Sequence, residues 1–283
     1  MIKSKKIASY GSYEEVVVER LLDDERVLAV TINTADDLNV MSVEMMAALA
    51  QAFDSITAMA DPDPNLDSVR AVILRAEGIS FAVGLDIASL AGDYIDEGVP
   101  RKGDCWFAMW ECPFPIVGAI NGAAVTGGFE VALCCDFLLA SKEAVFMDNH
   151  PKYGVHPGRR ISQRLADVCG ANNAKLATMS SYPIDAEMAL TWGLVSQVLP
   201  SRQELDDRAV EVAQMVANNH PVMVKRYKKL IDEGGMVTYR EGLEMEDASE
   251  KTFYGSLTDV DATLQDGAEK FQQMLKWVRD REL

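Results

Sequence analysis

Apolar positions change period along this chain, and the changes mark out its layers. Glu15 to Glu19 and Val27 to Asn33 alternate or run apolar with β-branched residues, separated by the polar Asp23-Asp24-Glu25, which predicts two antiparallel strands. The period then lengthens. Met46, Leu49, Phe53 and Ile56 recur at helical spacing within Val43 to Met59, behind Ser42 as a candidate N-cap, so a helix with a methionine-rich core face should follow. Asp61-Pro62-Asp63-Pro64-Asn65 is turn chemistry. Beyond it, Val69 to Leu74 and Ile116 to Ile120 are apolar throughout, as strands covered on both faces by helices are. Between those two strands, Gly92 to Gly103 mixes glycine with charge and predicts a surface loop.

A helix from Gly128 through Leu133 and a strand at Phe137 to Ala140 continue the strand, turn, helix, strand rhythm of an α/β layer. From Ile161 onward helices dominate: Gln203 to Ala217, Val222 to Asp232, Val237 to Tyr254 and Ala262 to Arg279 carry helix formers with apolar residues three and four apart. The chain has no internal repeat or low-complexity tract, and Leu199-Pro200-Ser201 is the candidate edge between a core, 1–200, and a helical region, 201–283.

Composition narrows the function classes. With 283 residues, 48% of them hydrophobic, the chain can bury a large core. No stretch suits a membrane span, and Met1 to Tyr10 has lysines without the apolar core of a secretory signal, so an intracellular protein in the cytoplasm or an organelle matrix is expected. The final Arg281-Glu282-Leu283 departs from the Ser-Lys-Leu type of peroxisomal address. Five cysteines without a CxxC pair and three histidines without zinc spacing predict reduced thiols and no metal. A formal charge of −17 argues against nucleic acid as a partner.

The segment with most chemistry runs from Pro115 to Asp136, where a strand, Asn121-Gly122, Gly127-Gly128 and a helix follow in order. Glycines let a ligand approach the main chain, and unpaired amides at a helix start offer hydrogen bonds to an oxygen gaining negative charge. An anion or oxyanion site is therefore predicted. It is not a P-loop, since Gly128 stands where that motif requires lysine, and neither GxGxxG nor GxSxG occurs.

Several motifs in one order make the chain resemble the crotonase (enoyl-CoA hydratase/isomerase) family, and within it the plant-type monofunctional hydratases. They are Asn121-Gly122, Gly127-Gly128-Phe129-Glu130 and Cys135-Asp136; Ser80-Phe81-Ala82-Val83-Gly84-Leu85-Asp86-Ile87, similar to "SFxAGxD"; and Asn33 to Asn39, similar to "NRPxxxN" with Thr34-Ala35 in place of Arg-Pro. Phe146, Gly154, Pro157-Gly158, Gln163-Arg164-Leu165, Ala186, Ala189, Gly193-Leu194-Val195 and Val198 continue the match. The resemblance implies an α/β fold, a spiral of ββα units with a C-terminal helical region that supports a homotrimer or homohexamer. It also implies an acyl-CoA substrate and no separate cofactor. The backbone NH groups of Val83 and Gly127 correspond to the oxyanion-hole donors. Glu130 corresponds to a catalytic glutamate, with Phe81, Ala82, Gly84, Leu85, Asp86 and Gly128 as the substrate-binding frame.

Departures from the family pattern are equally informative. His150 stands where the second glutamate belongs; it can exchange a proton near neutral pH, orient water, or serve as a plain core histidine. Asp148 is a nearby carboxylate of unfixed direction. Arg159-Arg160 replace small residues at a helix start, where cations oppose the dipole; a surface ion pair is expected, with a compensating protein carboxylate or ligand group as the alternative. Lys225, Arg226, Lys228 and Lys229 form a basic run, either a solvated helix face or a contact for CoA phosphates. The activity expected is hydration of a 2-enoyl-CoA, with double-bond isomerisation through Glu130 and a catalytically weak acyl-CoA binding protein as alternatives.

Overall fold

The computed structural model describes residues 2–34, 38–85, 104–159, 161–256 and 260–280. Two compact units divide the chain, Met1–Lys225 and Arg226–Leu283. The first is built on a seven-stranded sheet ordered β1-β2-β3-β4-β6-β8-β11. Its strands are β1 (Ser4–Tyr10), β2 (Val16–Leu21), β3 (Val27–Ile32), β4 (Ala71–Ala76), β6 (Ile116–Ile120), β8 (Phe137–Ser141) and β11 (Gln197–Leu199). The first three strands pair antiparallel, and from β3 to β11 every pairing is parallel. Uniform apolarity now has its cause: every residue of β3, β4 and β6 is buried, because the sheet is covered on both faces.

A second sheet, ordered β10-β9-β7-β5, collects short strands, of which β5, β7 and β9 each follow a long one. These are β5 (Ser80–Ala82), β7 (Ala123–Val125), β9 (Val145–Met147) and β10 (Ile184–Asp185). The repeating unit is thus a long strand in one sheet, a short strand in the other and a helix, the ββα spiral that the resemblance implied. At three residues or fewer, these strands are too short to show a period in the sequence. β1 escaped the pattern for another reason, since its lysines and serines lie half-exposed at the sheet edge.

α1 (Val43–Thr57) begins where the sequence placed it, with the Ser42 side chain accepting a hydrogen bond from the Met45 amide at 3.1 Å. Its residues Met45, Met46, Leu49, Phe53 and Ile56 are buried in the larger core. The opposite face of the main sheet carries a smaller core. There Leu205, Ala209, Ala213 and Ala217 of the helix Arg202–Ala217 repeat every four residues and meet Ala71, Ile73, Val117 and Leu139. This helix, just past Leu199-Pro200-Ser201, therefore belongs with the first unit.

The second unit is helical, containing Tyr239–Ser256 and Val260–Asp280. Thr238 and Glu241 form a reciprocal capping box at the first of these, with Glu241 Oε2 accepting from the Thr238 amide at 2.9 Å. Among the described residues, no helix is long and apolar enough to cross a membrane.

Candidate active site

Two turns from successive ββα units come together at the start of the helix Gly127–Ala132. The first spans Ile79 to Leu85 and the second Asn121 to Gly128. β5 and β7 join them through the pairs Ser80↔Ala123 and Ala82↔Ala124. Their backbones touch. A Cβ added to Gly128 would lie 2.1 Å from the Ala82 carbonyl oxygen, and one on Gly122 would lie 2.1 Å from that of Ile79. No side chain fits either position, so glycine is required there for close approach. Val83 follows Ala82 and Gly127 precedes Gly128, so this contact brings together the segments carrying the two predicted donor amides. Leu85 and Met41 pack against Gly127, and Gly84 accepts a hydrogen bond from the Met41 amide at 2.8 Å. Phe81 and Ala82 are wholly buried. Asp86 and the segment Gly92 to Gly103 lie outside the described residues.

Both signature asparagines brace the first turn. Asn39 Nδ2 donates to the carbonyls of Glu77 at 2.7 Å and Ser80 at 3.0 Å, while Asn121 Nδ2 donates to that of Gly78 at 3.1 Å. Thr126, the residue before the helix, holds φ 51° and ψ −111°, a costly conformation for a β-branched residue. Its amide donates to the Met147 carbonyl at 2.8 Å, which ties the strained residue to the next ββα unit.

Glu130 lies one turn into this helix and is 1% exposed. Its neighbour Phe129 is fixed against Phe146, ring centroids 5.4 Å apart. Glu130 Oε1 accepts a hydrogen bond from the Arg159 amide at 3.1 Å and lies 3.9 Å from His150 Nε2. Burial pushes the Glu130 carboxyl above its usual range, against the opposing pull of His150 and the Arg159 amide. On the far side of the imidazole, His150 Nδ1 lies 2.6 Å from Asp148 Oδ1, which also accepts the His150 amide at 3.1 Å. Burial of His150 opposes its charge, but the hydrogen bond to Asp148 and the charge of Glu130 prevail and raise its pKa. All three side chains are at most 3% exposed. A cavity of about 360 Å³ opens on Asp148 and His150, with Val155, Pro157, Ile161 and Met179 in its apolar wall.

Sequence reasoning placed Glu130 and His150 in one site and left Asp148 undirected. It missed the Arg159 amide as a carboxylate donor altogether, because the signal there is a main-chain group. The Arg159 guanidinium meets a protein carboxylate: Nε lies 3.5 Å from Asp104 Oδ2, and the group stacks 5.0 Å from the Trp106 ring, while Arg160 lies outside the described residues. In the basic run, Lys225 pairs with Asp67 and lies over the Phe114 ring at 4.7 Å. Within the second unit, Arg226 donates to the Ser249 carbonyl at 2.7 Å, Lys228 lies 3.6 Å from Asp232 and Lys229 3.7 Å from Glu233. These cations are matched within the chain itself.

Comparison with known proteins identifies the family. The family model described as enoyl-CoA hydratase/isomerase matches residues 23–277. Over 272 residues the chain is 32% identical to the probable enoyl-CoA hydratase 1, peroxisomal, of Arabidopsis thaliana, covering 95% of this chain and 96% of the relative. It is 34% identical over 226 residues to the short-chain-enoyl-CoA hydratase of Clostridium acetobutylicum, covering 77% and 81%. Among solved structures, an enoyl-CoA hydratase from Bacillus anthracis is similar with a TM-score of 0.77 at 27% identity, covering 90% of this chain and 96% of that one. With its sequence matched over nearly its whole length, the chain belongs to the enoyl-CoA hydratase/isomerase family of the crotonase superfamily, whose enzymes act on acyl-CoA thioesters.

Proposed function

We propose that the chain is an enoyl-CoA hydratase, adding water across the double bond of a 2-enoyl-CoA. The observation that carries this reading is Glu130, a buried carboxylate one helical turn from Gly127 with its pKa raised by burial. In this reading the Val83 and Gly127 amides receive the thioester oxygen as it gains enolate charge, and loss of one such donor typically raises the barrier by about 3–4 kcal/mol. Backbone donors set in mutually packed turns are preorganised for the enolate rather than for the ground-state carbonyl. Glu130 draws a proton from water as the oxygen attacks the β-carbon, and a proton is delivered to the α-carbon. Val83, Gly84, Leu85, Gly127 and Gly128 frame the thioester in this reading, and the family resemblance adds Phe81, Ala82 and Asp86.

The replacement of the second glutamate by His150 favours a second reading, isomerisation of a 3-enoyl-CoA, in which Glu130 carries one proton between two carbons. Turnover of a short 2-enoyl-CoA, followed by loss of the conjugated double bond with Glu130→Gln alongside, separates the two. Hydration predicts loss of conjugation by the wild type and little by the variant. No loss with the 2-enoyl thioester, but gain of conjugation with the 3-enoyl thioester, makes the enzyme an isomerase.

Self-association into a homotrimer or homohexamer belongs to the same proposal. Its support is the apolar set Phe271, Met274, Trp277 and Val278 on the helix Val260–Asp280, whose exposures run from 39% to 54%. Exposed apolar groups at such helical spacing suit a protein interface.

A further inference from the structure

We propose that Asp148 is a positioning residue whose carboxylate binds the Nδ1 proton of His150, leaving Nε2 as the atom that carries and releases a proton beside Glu130. The geometry admits one proton arrangement. A carboxylate accepts hydrogen bonds and does not donate them, so a neutral imidazole 2.6 Å from Asp148 Oδ1 keeps its proton on Nδ1. Nε2 then bears a lone pair when the ring is neutral and a proton when it is charged. The His150 amide holds the same Oδ1 at 3.1 Å, so the acceptor is fixed from two directions. Nε2 faces Glu130 Oε1 at 3.9 Å, which sets the imidazole between two carboxylates in a row: Asp148, His150, Glu130.

Among the described residues, Asp148 and Glu130 act on His150, while Arg159 offers its amide and its charge to Glu130 and pairs its guanidinium with Asp104. His156 lines the cavity that opens on Asp148 and His150, and that cavity gives a deeply buried dyad its way to exchange protons with solvent.

The catalytic part of the proposal rests on the hydratase reading, and its proton count closes. Water forms its oxygen bond to the β-carbon as one of its protons passes to Glu130, and the double-bond electrons move towards the thioester oxygen. The α-carbon takes the Nε2 proton of the imidazolium as the enolate electrons return to form the new C–H bond. Protonated Glu130 then gives its proton to Nε2 through one water spanning the 3.9 Å between them, restoring a carboxylate and an imidazolium. One water has been added, and no other reactant is required.

Nitrogen-detected NMR of the full chain labelled with ¹⁵N-histidine tests the positioning step without turnover. Three histidines make the spectrum tractable, and His156→Gln and His220→Gln assign it. In the wild type the neutral His150 ring should carry its proton on Nδ1 and titrate above the ordinary histidine range. A neutral ring protonated on Nε2 overturns the proposal, whether or not any variant folds. In Asp148→Asn the midpoint should fall by about one to three pH units, and kcat for the 2-enoyl-CoA should fall by about 10²-fold with its pH profile displaced in the same direction. An unmoved midpoint in that variant also overturns it. If the midpoint moves as expected while the wild type hydrates no 2-enoyl-CoA, the positioning role stands and the hydratase reading fails.

Discussion

Among the described residues of the first unit, two of the buried clusters of charge differ in the cation that answers the carboxylate. On β4, Arg75 faces Asp206 of the helix Arg202–Ala217, with Nη2 3.2 Å from Oδ2 and both side chains 9% exposed. Arg75 also reaches Glu77 at 2.7 Å, and Arg202 closes the group through Glu77 at 2.7 Å. At the other cluster Glu130 faces His150. Burial pushes both Asp206 and Glu130 upward, and each is pulled back by its cation. A guanidinium never gives up its proton, so the first cluster is a fixed clamp between sheet and helix. An imidazole releases its proton near neutrality, so the second can move one. Burial alone does not distinguish structural from chemical acids, whereas the titratability of the partner does.

The sharpest way to break this contrast is to neutralise each acid in turn. Glu130→Gln should lower kcat by about 10²- to 10⁴-fold and leave the fold intact, measured by turnover beside a thermal melt. Arg75→Met should do the reverse, stranding a buried carboxylate at a cost of about 3–5 kcal/mol in a urea titration while kcat stays near wild type. Comparable activity losses from the two would make the clusters equivalent and defeat the distinction.

A milder test removes both halves of the clamp. Arg75→Met with Asp206→Leu should regain most of the stability lost in Arg75→Met, since a well-packed apolar pair often replaces a buried ion pair at little cost. The urea midpoint of the double variant decides this, and a loss as deep as that of the single variant would mean the ion pair itself carries the stability.

The smallest effect is the pH dependence of the melt. Burial raises the Glu130 carboxyl, so the folded chain holds that proton to higher pH than the unfolded chain does. Stability from this group is full below the ordinary carboxylate range and is lost as pH rises through the raised value. Above it, Glu130→Gln should therefore melt no lower than the wild type. A variant that melts lower there would show Glu130 to be a structural anion.

Legibility in the sequence followed the same division. The parallel strands, α1 with its Ser42 cap and the terminal helices were readable because their periods extend over many residues. β5, β7 and β9 were not, being three residues each and defined by pairing to distant partners. Within the site, Glu130 and His150 were legible as side-chain types at motif positions. The direction of Asp148 depends on a turn conformation, and the Arg159 donor is main chain, which any residue except proline supplies. Arg75 lies just past the apolar run Val69 to Leu74 that the sequence showed, and its partner Asp206 is set by tertiary packing alone.

The parallel pairing of β5 with β7 also bears on how the protein folds. Ala82 and Ala124 are far apart in sequence, and the chain between them must close on itself before either turn can press on the other. No local segment holds both candidate donors, so a half-folded chain with native strands and helices would still lack the site. Parallel pairing of this range is intrinsically slow. On dilution from denaturant, return of helical circular dichroism should therefore precede return of turnover, and the interval between them times the closure of that one loop.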